Sequence, residues 1–215
     1  MKITMLADNH SQLNFKIPES DICLIAGDIC PAYHDSLTSI DMQAEWLDDK
    51  FRKWLKKQPV KNVVICPGNH DWIFEKNIRK VPNLGENVHY LIDEGIELLG
   101  LKIYGTPWQL PFCEWAFNLR EERLKLCWDK MPSDTDILLC HGPPYGIMDV
   151  ENRYNSHIGS KTLLDRIINI KPKIVVYGHN HNNYGVEEHD GIKYVNASLV
   201  DEEYKMTRKP IMVEL

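Results

Sequence analysis

Ile3-Thr4-Met5-Leu6-Ala7, followed at once by Asp8-Asn9-His10, is the stretch on which the reading of the fold turns. Such a run is too apolar for a strand with one wet face, so it reads as a central strand covered on both sides. The pattern recurs. Ile22-Cys23-Leu24-Ile25-Ala26 leads to Gly27-Asp28, and Val63-Val64-Ile65-Cys66 leads to Gly68-Asn69-His70. Ile137-Leu138-Leu139-Cys140 leads to His141, and Ile174-Val175-Val176-Tyr177 to Gly178-His179-Asn180-His181. In open α/β sheets the carboxyl ends of the strands carry the site, so donors scattered along a chain can converge there. One loop histidine or turn aspartate carries no message; five clusters at equivalent positions do.

Working outward, residues 39–57 place Leu47, Phe51, Trp54 and Leu55 at helical spacing opposite Asp48, Asp49, Arg52 and Lys53, which predicts a crossover helix. Residues 72–80, stopped before Pro82, and residues 121–130 predict two shorter helices. From Val88 to Tyr104 short apolar pieces broken by Gly95 and Gly100 predict an antiparallel meander that begins a second sheet. Residues 161–169 predict a helix running into the strand before His179. Asp190-Gly191 marks a hairpin between residues 184–188 and 192–196, and residues 210–215 can add a last strand. The expected architecture is α/β: a four-layer α/β/β/α sandwich of two stacked mixed sheets flanked by helices, as a single domain over 1–215.

At 215 residues the chain can bury a sizeable core. Its longest apolar runs fall well short of the roughly 20 residues of a membrane helix, and Met1-Lys2-Ile3-Thr4 does not open a signal peptide, so no membrane partner and a cytoplasmic location are expected. The cysteines include Cys23, Cys66 and Cys140 in predicted buried strands, which reads as reduced core. The net charge of −6 argues against a broad grip on extended nucleic acid. A phosphate would have to be held by bound cations instead. Nothing in the sequence speaks to oligomeric state.

Carboxylate and amide oxygens with imidazole nitrogens, and no thiolate, suit divalent manganese, iron, cobalt, nickel or zinc. His179 and His181, one residue apart, can face two adjacent ions from one turn. Gly27 and Gly68 permit tight backbone where a Cβ would crowd such ions. Taken in order, Asp8-Asn9-His10, Gly27-Asp28, Gly68-Asn69-His70-Asp71, His141-Gly142 and Gly178-His179-Asn180-His181 resemble the signature of the calcineurin-like metallophosphoesterase superfamily along essentially the whole chain. The resemblance implies two divalent ions, manganese foremost: Asp8, His10, Asp28 and His181 on the first, Asp28, Asn69, His141 and His179 on the second, with Asp28 shared. It also implies in-line attack on a phosphoester by a metal-bridging hydroxide, with the ions about 3.5–4 Å apart. His70 would protonate or stabilise the leaving oxygen, and Asp71 would orient a neighbour. His34 and His157 are expected at the pocket rim; His89 and His189 are read as surface or core.

A narrower resemblance, to metallophosphoesterase-domain proteins related to class III cyclic nucleotide phosphodiesterases, rests on four segments. They are Gly105-Thr106-Pro107-Trp108, Trp115-Ala116-Phe117-Asn118-Leu119, His141-Gly142-Pro143-Pro144 and Val195-Asn196-Ala197-Ser198. It implies a small phosphodiester substrate, with cyclic nucleotides favoured. Trp108, Phe112 and Trp115 lie in one loop that could stack a base or pack on itself. A phosphoprotein phosphatase or other phosphomonoesterase of the superfamily resembles Gly-Asp-x-x-Asp-Arg-Gly and Gly-Asn-His-Glu, whereas here Gly27-Asp28 runs into Ile29-Cys30-Pro31 and the later motif ends in Asp71. The arginine of that motif is missing. A DNA nuclease would bring capping or dimerising segments and a basic path. A noncatalytic protein-binding scaffold would have lost ligands, and all seven are present.

Overall fold

The five apolar runs become strands whose side chains alternate between two cores. The structure is a computed structural model and describes residues 1–31, 37–153 and 155–215. The element order begins β1 (Lys2–Leu6), β2 (Ser20–Ala26), α1 (Leu37–Trp46), a π-helical turn (Leu47–Phe51), α2 (Arg52–Leu55), β3 (Val60–Cys66) and α3 (Trp72–Lys76). It continues with β4 (Val88–Tyr90), β5 (Glu94–Leu98), β6 (Leu101–Thr106), α4 (Glu121–Trp128), β7 (Ile137–Cys140), β8 (Val150–Glu151) and β9 (Ser156–His157). It ends with α5 (Lys161–Ile170), β10 (Ile174–Tyr177), β11 (Gly185–His189), β12 (Ile192–Asn196) and β13 (Ile211–Glu214). One sheet runs β13-β1-β2-β3-β4, the other β11-β12-β10-β7-β6-β5, and β8-β9 is a separate hairpin. The inner strands of both sheets pair in parallel, and β13, β11 and β5 close edges in antiparallel.

Period-two alternation explains the stacking. Ile3 and Met5 of β1, Ile22 and Leu24 of β2, Ile137 and Leu139 of β7 and Val176 of β10 face one another in the core between the sheets. Their neighbours point outward. Cys23, Ile25 and Ile65 meet Ile40, Leu47, Phe51 and Leu55 of the first helical layer. Leu138, Cys140, Val175 and Tyr177 meet Leu124, Trp128, Leu163 and Ile167 on α4 and α5. The order of layers is therefore helix, sheet, sheet, helix. Among the described residues no helix is long and apolar enough to cross a membrane.

Three local expectations change. The crossover helix carries the π turn at Leu47–Phe51, whose extra residue keeps Leu47, Phe51 and Leu55 all in the core. The helix predicted over 72–80 ends at Lys76, because Asn77 turns out of helical geometry at φ −156, and only a 3₁₀ turn follows at Ile78–Lys80. Val88–Tyr90 does not begin the second sheet. It pairs parallel with β3, Val63 opposite Val88, so the antiparallel piece starts only at β5. The expected rim residue His34 lies outside the described residues.

Candidate metal centre

The strand ends on one side of the sandwich gather the donors. Asp8 follows β1, Asp28 follows β2, Asn69 and His70 follow β3, His141 follows β7, and His179 and His181 follow β10. The loops after β1 and β2 are zipped by backbone bonds from Asp8 N to Gly27 O (3.0 Å) and from His10 N to Asp28 O (2.9 Å). Asp8, His10, Asp28 and His179 all take left-handed backbone, with φ of 53, 39, 54 and 65. Asp and His visit that region more readily than most side chains, yet four together at one site is stored strain.

Asp28 is the hub. Its Oδ2 lies 3.8 Å from His10 Nε2, 3.9 Å from His70 Nε2 and 3.5 Å from His141 Nε2. His181 Nε2 stands 3.7 Å from Asp8 Oδ1 and 3.3 Å from His10 Nε2, and His141 Nε2 is 2.8 Å from Asn69 Oδ1. Two ligands each about 2.1 Å from a common ion are roughly 3–4 Å apart as the angle between them opens from about 90° to 130°, so these spacings suit shared cations. The titratable donors form three groups able to hold an ion: Asp8, His10 and His181; His10, Asp28 and His70; Asp8, Asp28 and His141. His179 joins by its ring, 5.2 Å from that of His141. His70 thus comes as near Asp28 as the expected ligands do.

Several contacts aim the donors. His141 Nδ1 donates to Ala26 O at 2.8 Å, which leaves Nε2 directed into the cluster. Asp8 accepts from Ser198 Oγ at 2.5 Å and from His179 N at 3.0 Å, and Asp28 Oδ1 accepts from His70 N at 2.8 Å. Buried Asp71 accepts from Gly68 N at 2.8 Å and Cys30 N at 2.8 Å, tying the loops after β2 and β3 together. A Cβ on Gly68 would fall 2.3 Å from Asp28 Oδ1, and one on Gly27 2.5 Å from His141 Nδ1. The glycines make room for the donors. Gln43 of α1 donates to His70 O at 2.7 Å and accepts from Ile73 N at 3.0 Å.

Burial shapes the charges. Burial pushes the His10 imidazole down to about 4 and that of His179 to about 3, keeping both neutral, the form that ligates. At His141 burial is outweighed by the Asp28 and Asp8 carboxylates and the Ala26 carbonyl acting together, which lift it to about 9. Burial opposes ionisation of Asp8 and Asp28, but His181 holds Asp8 below the usual carboxylate range and His141 and His70 hold Asp28 well below it. The carboxylates are ready to meet cations. His10 Nδ1 and Asn69 Nδ2 are buried without a hydrogen-bond partner among the described residues. The donor chemistry, the spacings and the glycine cradle all fit a pair of divalent ions.

Above the donors lies a cleft of about 280 Å³. Phe112 and Trp115 line it, Trp115 with its ring 4.1 Å from that of His70 and Phe112 5.6 Å from His179. Trp108 does not join them: its indole N–H donates to Asp93 at 3.1 Å and its ring meets Phe117, because that part of the loop packs onto the protein. His157 is likewise off the cleft wall, bonded through Nδ1 to Asp149 at 2.7 Å. His189 is exposed and bonded to Glu187, and His89 is half-buried on β4. Motif reading missed Tyr204, Arg153, Asn182 and Cys113 on the wall, and Gln43 and Ser198 beneath it. Ser198 falls in a quoted segment and Cys113 in the aromatic loop; the others sit in polar loops or a helix with no motif to flag them.

Such a centre, assembled from five strand ends of two mixed sheets, was compared with known proteins. The family described as Calcineurin-like phosphoesterase matches residues 1–183. The chain belongs to that family. It is 30% identical over 240 residues to human metallophosphoesterase domain-containing protein 1, covering 100% of this chain and 71% of that protein. A Caenorhabditis elegans UPF0046 protein is 30% identical over 231 residues, 93% of this chain and 56% of its own length. Among solved structures, Mycobacterium tuberculosis phosphopantetheinyl hydrolase superposes with TM-score 0.62 at 14% identity, covering 97% of this chain and 93% of that one. GAP50, described as the anchor in the inner membrane complex of Plasmodium, gives 0.55 at 11% identity over 93% and 71%. These two likenesses concern the fold alone. Membership of the family makes this a metal-dependent phosphoesterase fold, and with it a hydrolase.

Proposed function

We propose that the chain hydrolyses small phosphodiesters, cyclic nucleotides foremost, with two divalent ions held at the converged strand ends. The observation that carries the reading is the Asp28 carboxylate, whose Oδ2 lies 3.5 Å from Nε2 of His141 and 3.8 Å from Nε2 of His10, one histidine of each expected ion, as suits a shared ligand. Asp8, His10, Asp28 and His181 hold the first ion; Asp28, Asn69, His141 and His179 hold the second. Manganese is the leading choice, and iron, zinc, nickel or cobalt suit the same donors. Bound there, the ions activate water near neutral pH and offset the charge of the reacting phosphate.

The chain's own part is positioning and proton transfer. His70, braced by Gln43 at its carbonyl and by Trp115 at its ring, places a proton on the leaving oxygen. Phe112 and Trp115 offer faces to a base. The ligand positions hold no serine or cysteine to form a covalent intermediate, so attack is in line and configuration at phosphorus inverts. The cleft, about 280 Å³, is at the small end of ligand pockets, roughly 300–1,000 Å³, and suits a mononucleotide better than a protein loop or duplex. A phosphomonoesterase is the second reading, favoured by Arg153, the one Lys or Arg on the described wall, which could grip a dianion.

The test is kcat/KM with Mn²⁺ for 2′,3′- and 3′,5′-cyclic nucleotides beside nucleoside monophosphates, an aryl monoester, a phosphopeptide and single-stranded DNA. A cyclic diester should lead. A monoester or DNA ahead by more than about tenfold would replace the diesterase reading with a phosphatase or a nuclease.

A further inference from the structure

Tyr204 belongs to no motif and has no part in the chemistry above, yet it stands over the donors. Its ring meets that of His10 edge-on at 4.7 Å, His181 at 5.2 Å and His70 at 6.4 Å. Phe112 stands instead 5.6 Å from His179 and 5.3 Å from Trp115, whose ring is 4.1 Å from His70. Tyr204 therefore covers the histidines of one ion position and Phe112 a histidine of the other, with His70 touched by an aromatic from each group. All three rings line the cleft, and Tyr204 and Phe112 remain 42% and 48% exposed. Their faces are not used up by the core.

The placement of Tyr204 is built into the backbone. Its φ is +58, a region that aromatic residues rarely enter and that persists only when the surroundings hold it. They do. Tyr204 N donates to Asp201 O at 2.9 Å, and Asp201 Oδ1 accepts from Glu203 N at 3.0 Å and Lys205 N at 2.9 Å. From a different part of the chain, Gln12 Nε2 donates to Tyr204 O at 2.9 Å.

We infer that Tyr204 is a specificity-determining residue which, with Phe112 and Trp115, forms a slot for a planar ring carried by the phosphoester. The substrate class this selects is the nucleotide or aryl ester over the ring-free phosphodiester; the inference rests on the phosphoesterase reading above and deepens it. Stacking of a base on an aromatic side chain is sequence-tolerant, so purine and pyrimidine are both admitted.

The experiment uses the manganese-loaded full chain and two readouts. One is kcat/KM for adenosine 2′,3′-cyclic phosphate against glycerol 1,2-cyclic phosphate, which carries no ring beyond that of the phosphate itself; the other is calorimetric binding of AMP against glycerol phosphate. The unaltered chain should favour the ring in both. Tyr204→Asn, whose side chain accepts the same backbone, should cut that preference about tenfold, through KM and Kd rather than kcat, and Tyr204→Phe should keep it. Metal content verifies each variant, and Phe112→Ser supplies the same test if Tyr204→Asn fails to hold metal. Equal losses on ring-bearing and ring-free ligands, or a Tyr204→Phe as weak as Tyr204→Asn, would overturn the slot. A chain that binds AMP through Tyr204 but cleaves neither ester would remove the phosphoesterase reading and leave the slot. One that cleaves both with no ring preference would do the reverse.

Discussion

Asp8 is aimed by bonds that involve no cation. Ser198 Oγ and His179 N hold its two oxygens in place, so contacts within the protein orient the carboxylate toward the cluster. Partners behind a ligand are worth roughly 10–100-fold in metal affinity, and Ser198→Ala should weaken manganese binding by that factor in a calorimetric titration while the fold persists. His70→Ala should behave oppositely: full metal content by elemental analysis, and kcat lower by roughly 10²-fold. The motif residues were legible because each follows an apolar run that had to be a central strand. Tyr204 was not, since Asp201 to Lys205 is a polar stretch outside every quoted segment and the hydrogen bonds on its backbone return it to the cleft. Trp108 misled for the converse reason: composition shows a cluster of rings, and the hydrogen bond to Asp93 that turns one of them away is invisible until the loop is folded.

At the scale of elements, the helical layer reaches into the site through one side chain. Gln43 of α1 is fully buried and bridges His70 O and Ile73 N, linking the crossover helix to the loop that carries the expected proton donor. Gln43→Ala would leave both backbone groups unsatisfied, at about 1–3 kcal/mol each at most. It should lower the denaturant midpoint and also kcat, whereas a purely structural role would spare kcat. The loop between β6 and α4 makes a separate expectation. Five of the six thiols are buried, and burial pushes those of Cys23, Cys30, Cys66 and Cys140 up, while Cys113 is exposed at the cleft wall. A native thiol titration should find one fast group, absent in Cys113→Ala. Elements buried on both faces were readable from sequence. β4 was not, because its three residues are only half-buried on a sheet edge and nothing in Val88-His89-Tyr90 says which sheet it joins.

For the whole molecule, the sheets contribute unequally but jointly to one centre. Asp8, His10, Asp28 and Asn69 come from the first sheet, and His141, His179 and His181 from the second. Each ion held between them would bind the native state alone and stabilise it by about 2.7 kcal/mol at a free concentration 100 times Kd. For a chain of this size that is roughly 5–10 °C in Tm. Chelation should lower the melting temperature by that amount, and Mn²⁺ should restore it; no shift would mean that the sheets are not joined through metal.

The left-handed backbone at Asp8, His10, Asp28 and His179 also has a consequence for the history of such chains. Glycine enters that conformation freely, so glycine at any of the four positions would relax the loop while deleting a donor. Natural proteins sit just above a stability threshold, and stabilising substitutions at strained sites are open to them at a cost in function. Once turnover ceases to be selected, His10 and His179 would go first, because Asp8 and Asp28 still satisfy Ser198 Oγ and the amides of His179 and His70. Descendants would keep both sheets, discard the donors one corner at a time, and retain a rigid body free to be recruited for other work.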